Sequence, residues 1–434
     1  MNKNSTWTAL KNPAFRKLWI ATVISGTCVA AHDSAATWMI NSFTGSPLLI
    51  SLMSTLASLP FFLFTLPAGA LADKVDRQKM ICFINGGLAA TAGCLALLGW
   101  LHLLNPYLIL ASVFCIGVGF AFNAPAWTSI VPQVVSDAEL PSAATLSGLQ
   151  FNISGIIGPA LGGLLVALAG ANFVFALNAA CFFLVVVAIR QWKQPSPTAR
   201  LRSESLFESF GTVISYARNT PSFQIVLARN FLFALFISVL PALMPVVGLK
   251  VLHLSSSSLG LLFTSMGAGS VVGAVFVIPW LRARLSSDRL AFLASLLLVL
   301  VYLFMAVVRQ AELFFVVAAL AGVGWTLSAS ELWVAAQRTM PGWARGRMNA
   351  MVIMISQGAM AVGGVIWGSA ASIAGADYTL LGAAVLFLAS LAPVRRLSIN
   401  VAGNLEKRVS DVLSIRAESE EVTPITLTEE LLGV

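Results

Sequence analysis

Twelve long apolar segments alternate with short polar segments along the chain. They lie near 18–42, 47–72, 80–103, 107–131, 144–167, 172–190, 222–248, 258–281, 290–308, 313–337, 348–373 and 377–394. An α-helix needs about 20 apolar residues to cross a hydrocarbon layer about 30 Å thick. Strands of a membrane barrel would be about 10 residues long and would alternate with polar residues. The pattern therefore predicts an all-α membrane protein with twelve transmembrane helices.

The amino-acid composition is also typical of a membrane protein. The chain has 434 residues, of which 58% are hydrophobic, and its mean hydropathy is +0.87. A water-soluble core of ordinary proportions does not hold that much apolar surface, so membrane lipid is the expected surrounding. Five cysteines fall inside the predicted spans without paired spacing, and we expect them to be small packing residues: Cys28, Cys82, Cys94, Cys115 and Cys181.

Basic residues are segregated to alternate ends of the predicted spans. All but three of the 26 Lys and Arg residues lie on the same side as the N-terminus, and the exceptions are Arg229, Lys250 and Arg309. The positive-inside tendency then predicts that both termini are cytoplasmic. The net charge of +8 follows from this topology and does not indicate nucleic-acid binding.

A polar stretch divides the spans into two groups of six. The predicted organisation is an N-terminal bundle at 1–190, a cytoplasmic linker at 191–221, a C-terminal bundle at 222–396 and a polar, acidic cytoplasmic tail at 397–434. The tail is expected to be solvated, and a regulatory or partner-binding helix is the alternative. Basic hairpins at 69–79 and 273–289 occupy equivalent places in the two groups. Internal repeats of this kind place a transport site between pseudo-symmetric halves.

Ionisable residues inside spans are candidates for chemistry, because charges are costly in lipid and usually face a cavity or a partner. Asp33, beside His32, is a candidate for proton coupling, and a structural hydrogen bond is the alternative for both. Glu331 and Arg229 lie at similar depths in the second group, so we predict that they form a charge pair. Glu331 also belongs to a polar run, which makes it a second candidate for proton coupling.

The segment GALADKVDRQK at 69–79 resembles the loop-two signature of the major facilitator superfamily, roughly G-x-L-A-D-[RK]-x-x-R-[RK]. The matching residues are Gly69, Leu71, Ala72, Asp73, Lys74 and Arg77. Gln78 departs from the pattern, and Lys79 comes one place late. Other segments resemble the branch of transmembrane secretion effectors that includes the enterobactin exporter: NPAFRKLW at 12–19, TGSPL at 44–48, NAPA at 123–126 and RGR at 345–347.

The resemblance implies two six-helix bundles that work by alternating access. It makes Gly69, Asp73, Lys74 and Arg77 a cytoplasmic gate, with the carboxylate near a helix N-terminus and the basic residues paired with acids of the opposite half. The alternative is that these charges only keep the loop out of the membrane.

Span five carries Gly158, Pro159, Gly162 and Gly163, which resemble the end of the antiporter signature G-P-x-x-G-G. Small residues at this spacing allow close helix packing, and proline bends a helix. We therefore expect a packing and hinge position, which favours export. Drug antiporters of this superfamily carry an arginine in span four, yet 107–131 has no charged residue, so a proton relay here needs another design.

Polar and aromatic side chains of spans four and five are candidates for the substrate cavity, with packing as the alternative. They are Asn123, Trp127, Gln150 and Asn152. Such groups supply hydrogen bonds and an aromatic face to a ligand in an otherwise apolar pocket.

The sequence has no phosphate-binding loop of the form G-x-x-x-x-G-K-[ST], no Cys/His cluster for a metal and no recognisable catalytic set. We therefore expect a secondary transporter with no cofactor and no enzymatic activity. The favoured function is proton-driven efflux of an amphipathic siderophore or drug by a monomer in the bacterial cytoplasmic membrane. The alternatives are a carrier of another solute or lipid, a membrane-embedded sensor or scaffold, and an intramembrane enzyme.

Overall fold

The structure, a computed structural model, describes residues 7–136, 139–191, 214–340 and 345–396. Within these ranges the chain is helical and contains no strand. The long helices are α1 (Pro13–Phe43), α2 (Pro47–Lys74), α3 (Arg77–Trp100), α4 (Pro106–Val134), α5 (Leu140–Ala169), α6 (Ala171–Arg190), α7 (Pro221–Val251), α8 (Ser256–Arg282), α9 (Ser287–Val307), α10 (Ala311–Thr339), α11 (Arg345–Ala374) and α12 (Ala376–Arg396).

Helices α1 to α11 are long and apolar enough to cross a membrane. In α12 the apolar segment is shorter and covers Ala376–Ala392. The all-α membrane fold is therefore confirmed, whereas the number of twelve spans and the cytoplasmic position of the termini stay predictions.

Helix starts are set by proline and by side-chain caps. Proline occupies the first position of four helices, where its missing N–H costs no hydrogen bond: Pro13, Pro47, Pro106 and Pro221. The side chain of Asn12 accepts hydrogen bonds from the N–H groups of Ala14 and Phe15, and Asn105 accepts one from Leu108. These caps satisfy backbone donors that have no partner inside the helix.

The helices pack as two groups, here called the N half (α1 to α6) and the C half (α7 to α12). In the N half, α6 packs mainly against α3 and α1, and α1 packs against α5. In the C half, α9 packs against α10 and α12. Each half ends with the same device, a single-glycine turn before its last helix: Gly170 has φ 83° and Gly375 has φ 90°. These backbone angles favour glycine, so the repeat is visible in the turns as well as in the helices.

Part of the predicted linker is ordered on the C half. Residues 214–219 are helical, and the Tyr216 hydroxyl donates a hydrogen bond of 3.1 Å to the carbonyl of Thr339. Ala217 is buried in a cluster with Phe223 of α7. The rest of the linker, 192–213, and the tail, 397–434, lie outside the described residues, so the domain boundaries and the role of the tail stay predictions.

Candidate functional site

The two ends of the molecule differ in charge. The basic end is the one where α1 begins and where α2 joins α3 and α8 joins α9; it carries Arg16, Arg77, Arg282 and Arg289. The opposite end, here called the far end, contains the turns between α1 and α2 and between α7 and α8. The described contacts between the halves extend from the far end to about the middle of the helices.

One contact between the halves is the crossing of α2 and α11. The Thr55 hydroxyl donates a hydrogen bond of 3.1 Å to the carbonyl of Ala361. A Cβ at Gly364 would overlap the Thr55 hydroxyl, and one at Gly368 would overlap the hydroxyl of Ser51. A side chain at either position would have to displace these hydroxyl groups, so glycine allows the two helices to approach closely.

The second contact is the crossing of α5 and α8. A Cβ at Gly163 would overlap the carbonyl oxygen of Ser256, and one at Gly260 would overlap that of Pro159. Thr264 strengthens the crossing by donating a hydrogen bond of 2.7 Å to the carbonyl of Ile156.

The other two glycines singled out in span five pack inside the N half, because Cβ atoms at Gly158 and Gly162 would meet Ala30 and Ala31 of α1. The antiporter-like segment thus lies at packed helix contacts on both sides of α5. Whether it also acts as a hinge stays a prediction.

The far end is closed by side chains that cross between the halves. Val246 of α7 is buried in a cluster of N-half residues, and Trp38 of α1 packs against the core of the C half. Lys250, at the end of α7, donates a hydrogen bond to the carbonyl of Gly45 in the turn between α1 and α2. Lys250 is one of the three basic residues that depart from the charge segregation of the sequence.

The basic end is open between the halves. Among the described residues, each buried cluster near this end belongs to a single half. Cβ atoms built at Gly69 of α2, Gly148 of α5 and Gly346 of α11 would meet no atom within 4 Å. An opening between the halves therefore widens toward the basic end and closes toward the far end.

Asp33 lies inside α1, at a depth close to the contacts that close the far end. On α1 it is five residues, about 7.5 Å of helix, before Trp38. His32 is fully buried with its ring centroid 4.7 Å from that of Phe175 on α6, and Cys28 also contacts α6. Asp33 lies about 100° and 140° around the helix from these two residues. Its side chain is exposed and lies on a different face of α1 from the two residues that contact α6.

The predicted pair of Arg229 and Glu331 is wrong. Arg229 is 2.8 Å from Asp288 in the first turn of α9, and its side chain is only 8% exposed. Glu331 is 2.7 Å from Arg282 at the end of α8 and is 1% exposed. Similar depth in the membrane did not identify the partner, because each side chain points to a different neighbouring helix. The nearly complete burial of Glu331 also separates it from the opening.

Arg229 borders a small cavity inside the C half. The cavity is lined from α7, α9, α10 and α12, and its polar lining includes Ser295, Ser328 and Ser390. The Ser328 hydroxyl is buried without a hydrogen-bond partner. This cavity lies within one half and is distinct from the opening.

The four cavity candidates of spans four and five are mostly engaged within the N half. Asn123 accepts a hydrogen bond of 3.4 Å from Asn85 of α3, and Trp127 packs in a cluster at the basic end. Gln150 donates one of 3.3 Å to the carbonyl of Thr22 on α1. Asn152 is exposed and donates a hydrogen bond of 3.1 Å to the carbonyl of Gly148 in its own helix. Their role in substrate binding stays a prediction.

The predicted gate lies at the junction of α2 and α3. Asp73 and Lys74 occupy the last turn of α2, and their side chains lie outside the described part of the structure. The carboxylate that caps α3 is Asp76, which accepts a hydrogen bond of 3.1 Å from the N–H of Lys79. This cap was missed, although an aspartate just before an apolar helix is its usual signal. Gating by this segment stays a prediction.

Two of the five cysteines meet across a helix interface. The Sγ atoms of Cys28 on α1 and Cys181 on α6 are 2.8 Å apart. Their separation of more than 150 residues gave no pairing signal in the sequence, and the structure shows both as free thiols at the packed interface of α1 and α6.

Comparison with known proteins gives the same fold and a class of function. The family model described as transmembrane secretion effector matches residues 4–423. The macrolide efflux protein A of Streptococcus pyogenes is 23% identical over 280 residues, which cover 64% of this chain and 68% of that protein. The enterobactin exporter EntS of Escherichia coli O1:K1 / APEC is 25% identical over 431 residues, which cover 91% of this chain and 97% of the exporter.

Solved structures share the architecture. A bacterial homologue of the human lysosomal transporter Spinster, in an inward-facing and unoccupied conformation, superposes with a TM-score of 0.70 at 13% identity, covering 91% of this chain and 97% of that one. The nucleoside transporter NupG gives a TM-score of 0.68 at 13% identity and covers 88% of this chain and 98% of that one. Together with the two-half architecture, the family match shows that this chain is a membrane transporter and not an enzyme, and that it belongs to the transmembrane secretion effector family of the major facilitator superfamily.

Proposed function

We propose that this transporter exports an amphipathic small molecule across the cytoplasmic membrane of a bacterium by alternating access, driven by protons that move inward. The positive-inside tendency supports a cytoplasmic basic end, from which an exporter would load its cargo. The efflux and exporter names of the relatives favour this direction. Because the opening lies between the two halves of a single chain, a monomer is the proposed working unit.

The observation that carries the proton part of the proposal is Asp33. It is an exposed carboxylate in the interior of α1, five residues before Trp38, which packs against the C half. Burying an ionised carboxylate at this depth in the membrane costs free energy, and a proton or a bound cation that neutralises the charge removes that cost. We therefore propose that the charge state of Asp33 controls the switch between the conformation open at the basic end and the conformation open at the far end.

Two further parts of the proposal concern the basic end and Glu331. Closure of the basic end would bring the gate of Gly69, Asp73, Lys74 and Arg77 against the C half. Glu331 is ion-paired and 1% exposed, so we assign proton exchange to Asp33 and a structural role to Glu331.

Transport into inside-out membrane vesicles tests this function. Respiration acidifies the lumen, and radiolabelled erythromycin, a macrolide, and enterobactin serve as probes. We expect the wild type to accumulate at least one of them, an uncoupler to abolish accumulation, and Asp33→Asn to lose it. Asp377→Asn, which removes a half-exposed carboxylate at the far end, is the matched control and should transport normally.

Each component of the proposal has its own contrary result. If neither probe accumulates above vesicles that lack the protein, the export proposal is wrong for these classes of cargo. Accumulation that survives the uncoupler contradicts proton coupling. Full activity of Asp33→Asn removes Asp33 as the coupling residue and leaves export intact.

A further inference from the structure

We propose that the outer face of α8 binds an anionic phospholipid at the basic end of the molecule. Arg284 holds the lipid phosphate, and an acyl chain lies along Trp280, Phe276 and Val272. This site is on the surface toward the membrane, outside the transport pathway, and so goes beyond the proposed function. It follows from an exposed apolar stripe, an arginine fixed at the end of that stripe and a local excess of positive charge.

One face of α8 is exposed along most of the helix. Its apolar residues recur at spacings of four or seven, which places them on the same side of a helix: Leu261, Ala268, Val272, Phe276 and Trp280. The turn at Gly273–Val277 is π-helical and therefore wider than an α-turn, so the four-residue spacing stays nearly in line through it. Near the basic end Phe276 is 68% exposed and Trp280 is 55% exposed.

The stripe lies on the outside of the molecule. Gly260 and Thr264 of α8 contact α5, where the two halves are closed against each other. Gly269 and Ser270 contact α10 within the C half. Leu261 directly follows Gly260 and is still half exposed at the level of the closed crossing. Because the halves meet at this level, the stripe faces the outer surface, which in a membrane is covered by lipid.

Arg284 lies at the end of the stripe. It follows Trp280 by four residues, and its guanidinium carbon is 4.2 Å from the centroid of the Trp280 ring. A cation–π contact of this kind orients the guanidinium over the ring. Arginine binds phosphate oxygens through parallel N–H donors, and tryptophan is typical of the interface between membrane and water. The pair therefore offers an oriented phosphate ligand at the depth of the lipid headgroups.

The hairpin between α8 and α9 carries excess positive charge. Two of its charged residues, Arg282 and Asp288, are in ion pairs with other helices. Arg284 and Arg289 are exposed and have no acidic partner among the described residues. Each basic residue near an anionic membrane surface strengthens binding by about fivefold. A zwitterionic headgroup has no net charge, so the site should select anionic lipids.

Binding of two lipids to the purified full-length protein in detergent tests the proposal. The probes are phosphatidylglycerol and phosphatidylcholine with the same acyl chains, and native mass spectrometry gives the affinity of the first bound lipid. We expect the wild type to prefer phosphatidylglycerol by about fivefold or more. Arg284→Gln should weaken phosphatidylglycerol binding by about fivefold and leave phosphatidylcholine binding unchanged.

Three further variants separate a defined site from a general effect of positive charge. Arg190→Gln removes an exposed basic residue of α6 at the same end and should bind as the wild type does. Arg284→Lys keeps the charge and should keep the preference for phosphatidylglycerol. Trp280→Leu keeps an apolar side chain but removes the ring that orients Arg284, so it should reduce that preference.

Several results would overturn the proposal. Equal affinities of the wild type for the two lipids would contradict selection of an anionic headgroup. Equal losses for Arg284→Gln and Arg190→Gln would show that the charge of the whole basic end, and not this site, sets the preference. Glycerol phosphate in large excess should not displace the lipid, and displacement would show that a free phosphate is sufficient and contradict a lipid site.

Discussion

The buried ion pair between Arg229 and Asp288 should be a main determinant of stability in the C half. Asp288→Asn keeps the size of the side chain but leaves the guanidinium of Arg229, 8% exposed, without its counter-charge. Removing one partner of a buried pair costs about 3–5 kcal/mol, because the remaining charge is uncompensated. For a folding unit of about 200 residues this corresponds to a fall in Tm of roughly 10 °C, at about 2–4 °C per kcal/mol.

The chain contains a matched control for this variant. Arg309 and Asp377 form a pair at 2.6 Å whose side chains are 46% and 42% exposed. Asp288 and Asp377 both lie in the first turn of a helix, so their interaction with the helix dipole is lost equally in the two variants. The difference between them therefore isolates burial. Exposed pairs contribute about 0–1 kcal/mol, so Asp377→Asn should lower Tm by less than about 4 °C.

The assay is thermal unfolding of the purified protein in detergent, followed by size-exclusion chromatography of heated samples. The double variant Arg229→Gln with Asp288→Asn removes both charges and should recover most of the lost Tm, because no uncompensated charge remains. Equal shifts for Asp288→Asn and Asp377→Asn, or no recovery in the double variant, would refute the reasoning from burial.

Two further predictions concern helix contacts. Gly260→Ala should force the halves apart at the far end, because its Cβ would overlap the carbonyl of Pro159. Double electron–electron resonance between spin labels on the α1–α2 and α7–α8 turns should then report a longer distance. Gly148→Ala, whose Cβ would meet no atom within 4 Å, should leave that distance unchanged. Mild oxidation with copper phenanthroline should join Cys28 to Cys181, detected as a cross-linked peptide by mass spectrometry, and recovery of both cysteines as separately alkylated peptides would contradict the observed contact.

The fold was predictable because length and hydrophobicity together identify membrane helices. The predicted span 172–190 became Ala171–Arg190, and 47–72 became Pro47–Lys74. Errors at helix ends have local causes: α1 begins at Pro13, five residues before the predicted start at 18, because Asn12 caps it and polar residues extend the helix beyond the apolar segment. Hydrophobicity defines the membrane-crossing part of a helix and does not define its termini.

The partners of the charged residues were less predictable. Sequence position gave the depth of Arg229 and Glu331, but a contact also depends on the direction of each side chain and on which helix lies there. The same limitation hid the contact between Cys28 and Cys181. Asp33 was singled out by its rarity alone, because a carboxylate inside a membrane helix is costly, and its role stays a prediction.

The hydrogen bond by which Lys250 joins the halves at the far end does not depend on a titratable acceptor. The acceptor at this closure is the backbone carbonyl of Gly45 and not a carboxylate. A peptide carbonyl takes up no proton at the acidities a bacterium meets, so this hydrogen bond keeps its acceptor at any external pH. In the proposed mechanism, protonation at Asp33 is thereby separated from this contact: a steep proton gradient would drive the conformational change without removing the acceptor of the hydrogen bond that joins the halves at the far end.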